Sequence, residues 1–291
     1  MKYSPCALAL LTAALLALPG LNPSAQESEP TLAKIARTGE FVIGYRADSS
    51  PLSYENADGQ PSGYSVDMCR RIAAGVNALF EDQQIETKFV RITTDERISA
   101  VVSGKIDIEC GSTTITLSRQ EKVDFSLPIF VTGGSVLSLA ASGIQGMSDL
   151  AGKKVGVAKG TTTAAQLQDY LEQNLIDAEV VILEDRHEGM TRLNRGGIDA
   201  LASDQIVLIG QVIEAIDPRR YALVDEIFSY EPYGFAIRRN DADFRLVVNR
   251  AIAQLYHSDQ IGDIYYKWIG RIGINVPPIL AAMYQLNALP E

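Results

Sequence analysis

The sequence predicts an α/β protein built from two units, and three observations predict it. Short β-branched runs alternate with amphipathic stretches at helical spacing, the pattern of helices packed on a largely parallel sheet. That alternation stops and restarts after Phe130. The length suits two ordinary domains of ~100–200 residues each. No internal repeat or low-complexity linker separates the units, so the second reads as inserted into the first.

Taken in order, residues 1–25 read as a cleavable secretory leader. Met1 and Lys2 give a positive start, residues 6–18 are apolar, Pro19-Gly20 break the run, and Ser24-Ala25 precede Gln26. The apolar run is shorter than the ~20 residues that span a bilayer, and Cys6 sits in no lipobox. Removing Lys2 from the 26 basic residues leaves 25 against 36 acidic ones, a net charge of −11. That balance argues against nucleic acid, which wants a basic face. It leaves room for an anionic ligand, because a few buried arginines set a local field whatever the net charge. Cys69 and Cys110 remain beyond the leader. In an oxidising compartment an even pair suggests one disulfide; two buried free thiols are the alternative.

Residues 31–37 form a predicted helix closed by Gly39, followed by a buried-type strand over 41–45. After a loop at 46–50 and a turn at 56–59, Val66, Met68, Ile72, Ala73, Val76 and Leu79 mark an amphipathic helix. Residues 85–92 alternate as a strand, and Thr93-Thr94-Asp95 cap a helix running to Val102. In the second unit, strands are predicted at 136–140, 152–157, 179–183 and 198–202. Helices start at Gly160-Thr161-Thr162-Thr163 and at about His187. A strand over 228–237 and helices at 241–257 and 259–268 complete the pattern. Ligands of open α/β sheets sit beyond strand C-termini, which singles out the loops after Tyr45, Ile92, Cys110, Ala158, Leu183 and Ser203.

The chain is organised around residues 106–120, a short strand that breaks at Gly111, three hydroxyl residues, then a helix with Arg119 in its opening turn. Free N–H groups, hydroxyls, a helix N-terminus and the Arg119 fork make a cradle for a carboxylate. A capped helix start with a surface arginine fits the same residues. The segment Glu109-Cys110-Gly111-Ser112-Thr113-Thr114, with Arg119-Gln120-Glu121-Lys122-Val123-Asp124-Phe125-Ser126, resembles the signature of the periplasmic amino-acid-binding proteins of ABC importers. It is most similar to their glutamate/aspartate-binding branch.

The resemblance implies a two-lobed periplasmic-binding-protein fold of type II. Lobe 1 would comprise 26–130 and 229–291, lobe 2 would comprise 131–228, and two crossings near 129–133 and 229–235 would form the hinge. It also implies a periplasmic monomer that closes on an acidic amino acid and docks an importer permease, without cofactor or metal. Residue by residue, it puts Arg119, Thr114 and Thr162 on the α-carboxylate, and Asp204 and Ser112 on the ammonium. Arg46, Arg97, His187 and Thr94 fall to the side-chain carboxylate. Each has a plainer reading alone: Arg46 as a surface-loop cation, Arg97 as a helix former, His187 as an exposed helix start, Asp204 as an N-cap. A His187 on the ligand predicts tighter binding as pH falls toward about 6.5.

Two rivals are set against this reading. Some dehydratases share the fold, and fold does not fix function; but no nucleophile elbow, P-loop or zinc helix motif is present. With His187 and His257 the only histidines, a histidine-rich metal centre is unsupported. A receptor that signals to a sensor is the other. The segment from Asn275 to Glu291 and the Ala202-Ser203 pair depart from the branch.

Overall fold

Helix α1 (Thr31–Thr38) ends on Gly39, whose φ of 70° makes the left-handed turn that releases the chain into strand β1 (Glu40–Tyr45). The computed structural model describes residues 29–290, so the leader lies outside the described residues. Phe41, Val42 and Ile43 are all buried because β1 has a parallel neighbour on each side and helices on both faces. A small antiparallel ribbon follows, of β2 (Asp48–Ser49), β3 (Ser53–Glu55) and β4 (Pro61–Ser62). Helix α2 (Tyr64–Asn77) buries Val66, Met68, Ile72, Ala73 and Val76 as its spacing predicts. Leu79 lies past the helix end and is exposed.

Strand β5 (Glu86–Arg91), helix α3 (Arg97–Val102), strand β6 (Ile108–Glu109), helix α4 (Leu117–Gln120) and strand β7 (Val123–Phe125) complete the first half of lobe 1. The predicted cap at Thr93-Thr94-Asp95 does not start α3; turn residues intervene and the helix begins at Arg97. Strand β8 (Phe130–Thr132) then crosses to lobe 2. That lobe holds β9 (Gly134–Leu139), β10 (Lys154–Ala158), α5 (Thr162–Gln173), β11 (Glu179–Leu183), α6 (Arg186–Asn194), β12 (Ala200–Asp204), α7 (Gln205–Glu214) and β13 (Tyr221–Leu223). Strand β14 (Glu231–Tyr233) returns antiparallel to β8, so two strands link the lobes. Strand β15 (Ala236–Arg238) and helices α8 (Ala242–His257), α9 (Gln260–Trp268) and α10 (Pro278–Asn287) finish lobe 1.

The lobe 1 sheet runs β5-β1-β6-β15-β7 and the lobe 2 sheet β11-β10-β12-β9-β13. Each is mixed rather than largely parallel: two pairs are parallel, and a strand attached to a crossing (β15, β9) pairs antiparallel on both sides. A strand that enters straight from the linker needs no crossover helix, so it can lie antiparallel. The segment from Asn275, which departs from the branch, carries α10, packed on lobe 1. It buries Leu280, Met283 and Tyr284, and the Tyr284 hydroxyl lies 2.8 Å from that of Tyr64. The other end of the described chain is tied to the same lobe by Thr31 N–H donating to Asp241 Oδ2 at 2.7 Å.

Cys69 and Cys110 form the expected disulfide, with Cα atoms 6.3 Å apart, inside the usual range. It ties α2 to the residue that opens the signature loop, across a separation of 41 residues. Chain-entropy arithmetic for such a loop gives about 4 kcal/mol. Replacing both cysteines by alanine is expected to lower the urea midpoint by a corresponding amount; an unchanged midpoint would show that packing alone holds the loop.

Candidate functional site

The site is assembled where the strand C-termini of the two sheets face each other. Lobe 1 contributes Arg46, from the loop leaving β1, buried to 1 % exposure. Its Nη2 donates to Asp48 Oδ1, while Nε and Nη1 have no partner among the described residues. Arg97, the first residue of α3, donates from Nη1 to Thr113 Oγ1 at 3.1 Å and to Ser112 O at 3.4 Å. Its Nη2 crosses the cleft to Gly160 O at 3.0 Å. Arg119 donates to Thr114 O at 2.7 Å and also reaches Gly160 O, at 3.4 Å. The Thr94 and Ser112 hydroxyls are buried without a partner among the described residues. A buried orphan donor is costly, so these loops are built to meet a polar group.

Glycine 111 serves the site by its size. A Cβ there would collide with the Glu109 carboxylate and stand 2.8 Å from Arg46 Cγ. Its φ is not in the left-handed region, so space and not turn geometry demands glycine. Helix α4 has four residues, starts at Leu117, and is capped by Thr116 accepting from Arg119 N–H. It is too short to bring a helix dipole to Ser112 and Thr114, which corrects that part of the predicted cradle. The helix terminus at the cleft is that of α5, twelve residues long and capped by Thr161, whose Oγ1 accepts from Ala164 N–H at 3.2 Å. Its first N–H groups have no intrahelical acceptor and suit an anion.

In lobe 2 a helix cap decides which residue turns inward. Asp185 is the N-cap of α6, accepting from Glu188 N–H at 2.8 Å, so the helix opens at Arg186. Arg186, 2 % exposed, therefore turns into the cleft, and His187 faces outward and is exposed. Arg186 Nε donates to Ser203 Oγ at 2.8 Å, and Nη1 crosses to Ser49 Oγ at 3.2 Å. The same guanidinium lies 3.7 Å from Asp48 Oδ2 and 3.7 Å from Asp204 Oδ2. Ser203, one of the departures noted in the sequence, thus orients the arginine. Asp204 makes no side-chain cap to α7; it accepts from Thr163 Oγ1 at 3.1 Å.

Three buried carboxylates lie in the site that the sequence did not single out. Both oxygens of Glu109 lack a hydrogen-bond partner among the described residues, and it faces the charges of Arg46, Arg97 and Arg119. Glu231, on the crossing strand β14, accepts from Thr114 Oγ1, from Thr162 Oγ1 at 2.7 Å and from Ser229 Oγ at 3.0 Å. Burial and the charge of Asp204 raise its pKa, against the three hydroxyls that lower it. Burial also pushes the Asp48 carboxyl up, but Arg46 and then Arg186 outweigh it and hold the group well below the usual carboxylate range. Burial, with Arg186 and Arg97 as like-charged neighbours, lowers Arg46 to about 10, so it stays charged at neutral pH. The sequence signals were there for Glu109, inside the signature, and for Glu231, an acid within a crossing strand.

The lowered pKa of Asp48 fixes the sign of a pH effect. Its stabilisation is present above the ordinary carboxylate value near 4 and is lost as pH falls toward the depressed one. Asp48→Asn is therefore expected to destabilise the chain at pH 7, and the gap to wild type should narrow below pH 4. Chemical unfolding at several pH values measures it; a gap independent of pH would mean that the ion pairs contribute nothing.

Residues 41–271 match the family of bacterial extracellular solute-binding proteins, family 3. The chain is 34% identical over 270 residues to an L-glutamate/L-aspartate-binding protein of Pseudomonas aeruginosa, covering 92% of this chain and 88% of that one. A glutamate/aspartate import solute-binding protein of Salmonella typhimurium is 32% identical, over 89% and 87% of the two chains. Among solved structures, an ancestral amino-acid-binding protein described as a precursor of cyclohexadienyl dehydratase superposes with a TM-score of 0.69. It is 29% identical, over 82% of this chain and 99% of that one. With its two lobes, two linking strands and a charged cleft between strand ends, the chain belongs to the bacterial extracellular solute-binding proteins of family 3.

Proposed function

We propose that the chain, secreted by its leader, works in the periplasm as a monomer that captures glutamate or aspartate between its lobes and delivers it to an ABC importer. The names of the similar proteins support this reading. The observation that carries it is the charge pattern of the cleft. Arg46, Arg97 and Arg186 lie near one another with Asp48 beside them, while Asp204, 3.7 Å from Arg186, and Glu231 form an acidic pole that extends to Arg119. An acidic amino acid has two carboxylates and one ammonium, and a closed site must answer all three. Arg119 and the first N–H groups of α5 take the α-carboxylate. Asp204 and the orphan Ser112 hydroxyl take the ammonium. Arg46, Arg97, Arg186 and the Thr94 hydroxyl take the side-chain carboxylate.

Arg186 in the place assigned to His187 changes the pH expectation. With an arginine there and His187 exposed, the tightening at lower pH expected of an imidazole on the ligand drops out of the reading.

A thermal-shift panel tests the reading. It compares glutamate, aspartate, glutamine, asparagine, histidine, arginine and a dicarboxylate without an amine. Ligand at about 1,000 times its Kd adds about 4 kcal/mol of stability. A large shift with glutamate and aspartate alone is expected, retained in His187→Gln and strongly reduced in Arg186→Gln. A shift with neutral or basic amino acids would sink the side-chain assignment. A shift with none, or turnover of a small carboxylic acid, would turn the reading toward another solute or an enzyme.

A further inference from the structure

Thr114 and Thr162 come from opposite lobes, yet their hydroxyl oxygens lie 3.1 Å apart and both reach Oε2 of Glu231 on the crossing strand. Glu231 is fully buried. Its Oε1 accepts from Ser229, so each oxygen is held. The charged and titratable groups around it are Asp204 at the end of β12, Arg119 after the signature loop and Tyr233 two residues along β14.

A threonine hydroxyl has one proton and two lone pairs. When both protons point at Glu231, the faces turned to the ligand are acceptors. An acceptor pair next to Asp204 suits an ammonium and disfavours a carboxylate. Had the protons been free, the same two hydroxyls would donate to a carboxylate, the role the sequence resemblance gave them.

We infer that Glu231 is a positioning residue that claims the Thr114 and Thr162 protons, turns this hydroxyl pair into part of the ammonium site, and so sets the requirement for an α-amino group on the ligand. The inference rests on the proposed function, since it concerns the α-amino end of the same ligand. It also explains how one buried acid can link lobe 1, lobe 2 and the crossing strand. The contact across Thr114, Glu231 and Thr162 requires the lobes to be together, and the ammonium finds its acceptors complete only then.

The test compares the affinity for glutamate with that for glutarate, the same diacid without the amine, by competition calorimetry. In wild type the amino acid is preferred. Glu231→Met removes the acceptor while keeping the length, and frees both hydroxyl protons. The preference for glutamate over glutarate should fall by about tenfold to a hundredfold, the range of a hydrogen bond to a charged group. Glutarate affinity should hold or improve. Glu231→Gln can turn its amide oxygen to the threonines and keep them oriented, so it should lose only part of the preference; it decides the matter if the methionine variant does not fold. Parallel loss of both ligands in the variants, with the preference unchanged, would show a merely structural role and overturn the inference. Wild type that binds neither aspartate nor glutamate would instead be the failure of the proposed function, seen before any variant is made.

Discussion

Arg119→Ala is expected to weaken binding of every amino acid severely and alike, whatever its side chain. The guanidinium is held by two backbone acceptors from opposite lobes, Thr114 O and Gly160 O, and faces Glu109, Glu231 and Asp204. Removing one member of such a buried charged set costs about 2–5 kcal/mol, or some thirtyfold to several thousandfold in Kd. The loss should be equal for acidic and neutral ligands, because the α-carboxylate is common to all. Arg46→Ala and Arg97→Ala act at the other end and should mainly remove the preference for acidic side chains. Calorimetric titration of all three variants with glutamate and glutamine makes the comparison. Equal losses for both ligands in all three variants would contradict this division of the cleft.

The second large effect comes from a glycine outside the charged site. Gly210, in α7 of lobe 2, packs against the backbone of Ser50 and Pro51 in lobe 1. A Cβ there would collide with the Ser50 carbonyl and stand 2.9 Å from Pro51 N, and backbone cannot swing aside as a side-chain tip can. Ile206 and Val207, one turn earlier on α7, are buried in the apolar cluster of lobe 1 with Leu52 and Tyr64. Overpacking costs about 1–3 kcal/mol. If the lobes part about the hinge as proposed, these two surfaces separate, and that cost is then expected to fall on the closed arrangement. Gly210→Ala should therefore weaken ligand binding by about fivefold to a hundredfold while leaving each lobe folded. Gly262→Ala, in α9 with open space around the new methyl, serves as a control and should change nothing. Small-angle scattering with saturating ligand adds a second reading: the alanine variant at Gly210 should stay more extended than wild type. Wild-type affinity and compaction in Gly210→Ala would mean that closure does not bring α7 against Ser50.

Much of the fold was legible because it rests on local signals. Phe41-Val42-Ile43 declare a doubly covered strand, Gly39 closes α1, and the spacing of Val66, Met68, Ile72 and Val76 gives the buried face of α2. The site was less legible, for reasons of geometry. Successive helical residues point about 100° apart, so an N-cap at Asp185 rather than one residue later exchanges Arg186 for His187 in the cleft. Composition offers no way to choose between those neighbours; the cap hydrogen bond to Glu188 does. The cross-lobe bonds of Asp48 and Glu231 had another reason to stay hidden. Beside near neighbours in Arg46 and Ser229, these acids meet Arg186 and Thr162, which stand 138 and 69 positions away in the chain and belong to the facing lobe. No periodicity records such a pairing. Gly111 reads in the sequence as the break that ends a strand, whereas what it provides is room beside Arg46.

Both ends of the described chain rest on lobe 1, through Thr31 on Asp241 and through α10 against Tyr64. A tether or fused label at either end therefore immobilises lobe 1 and leaves lobe 2 as the body that moves. Two labels at the two ends would be blind to ligand. A distance reporter needs its second probe in lobe 2, and Leu175, exposed just beyond α5 and away from the cleft, is a suitable place for it.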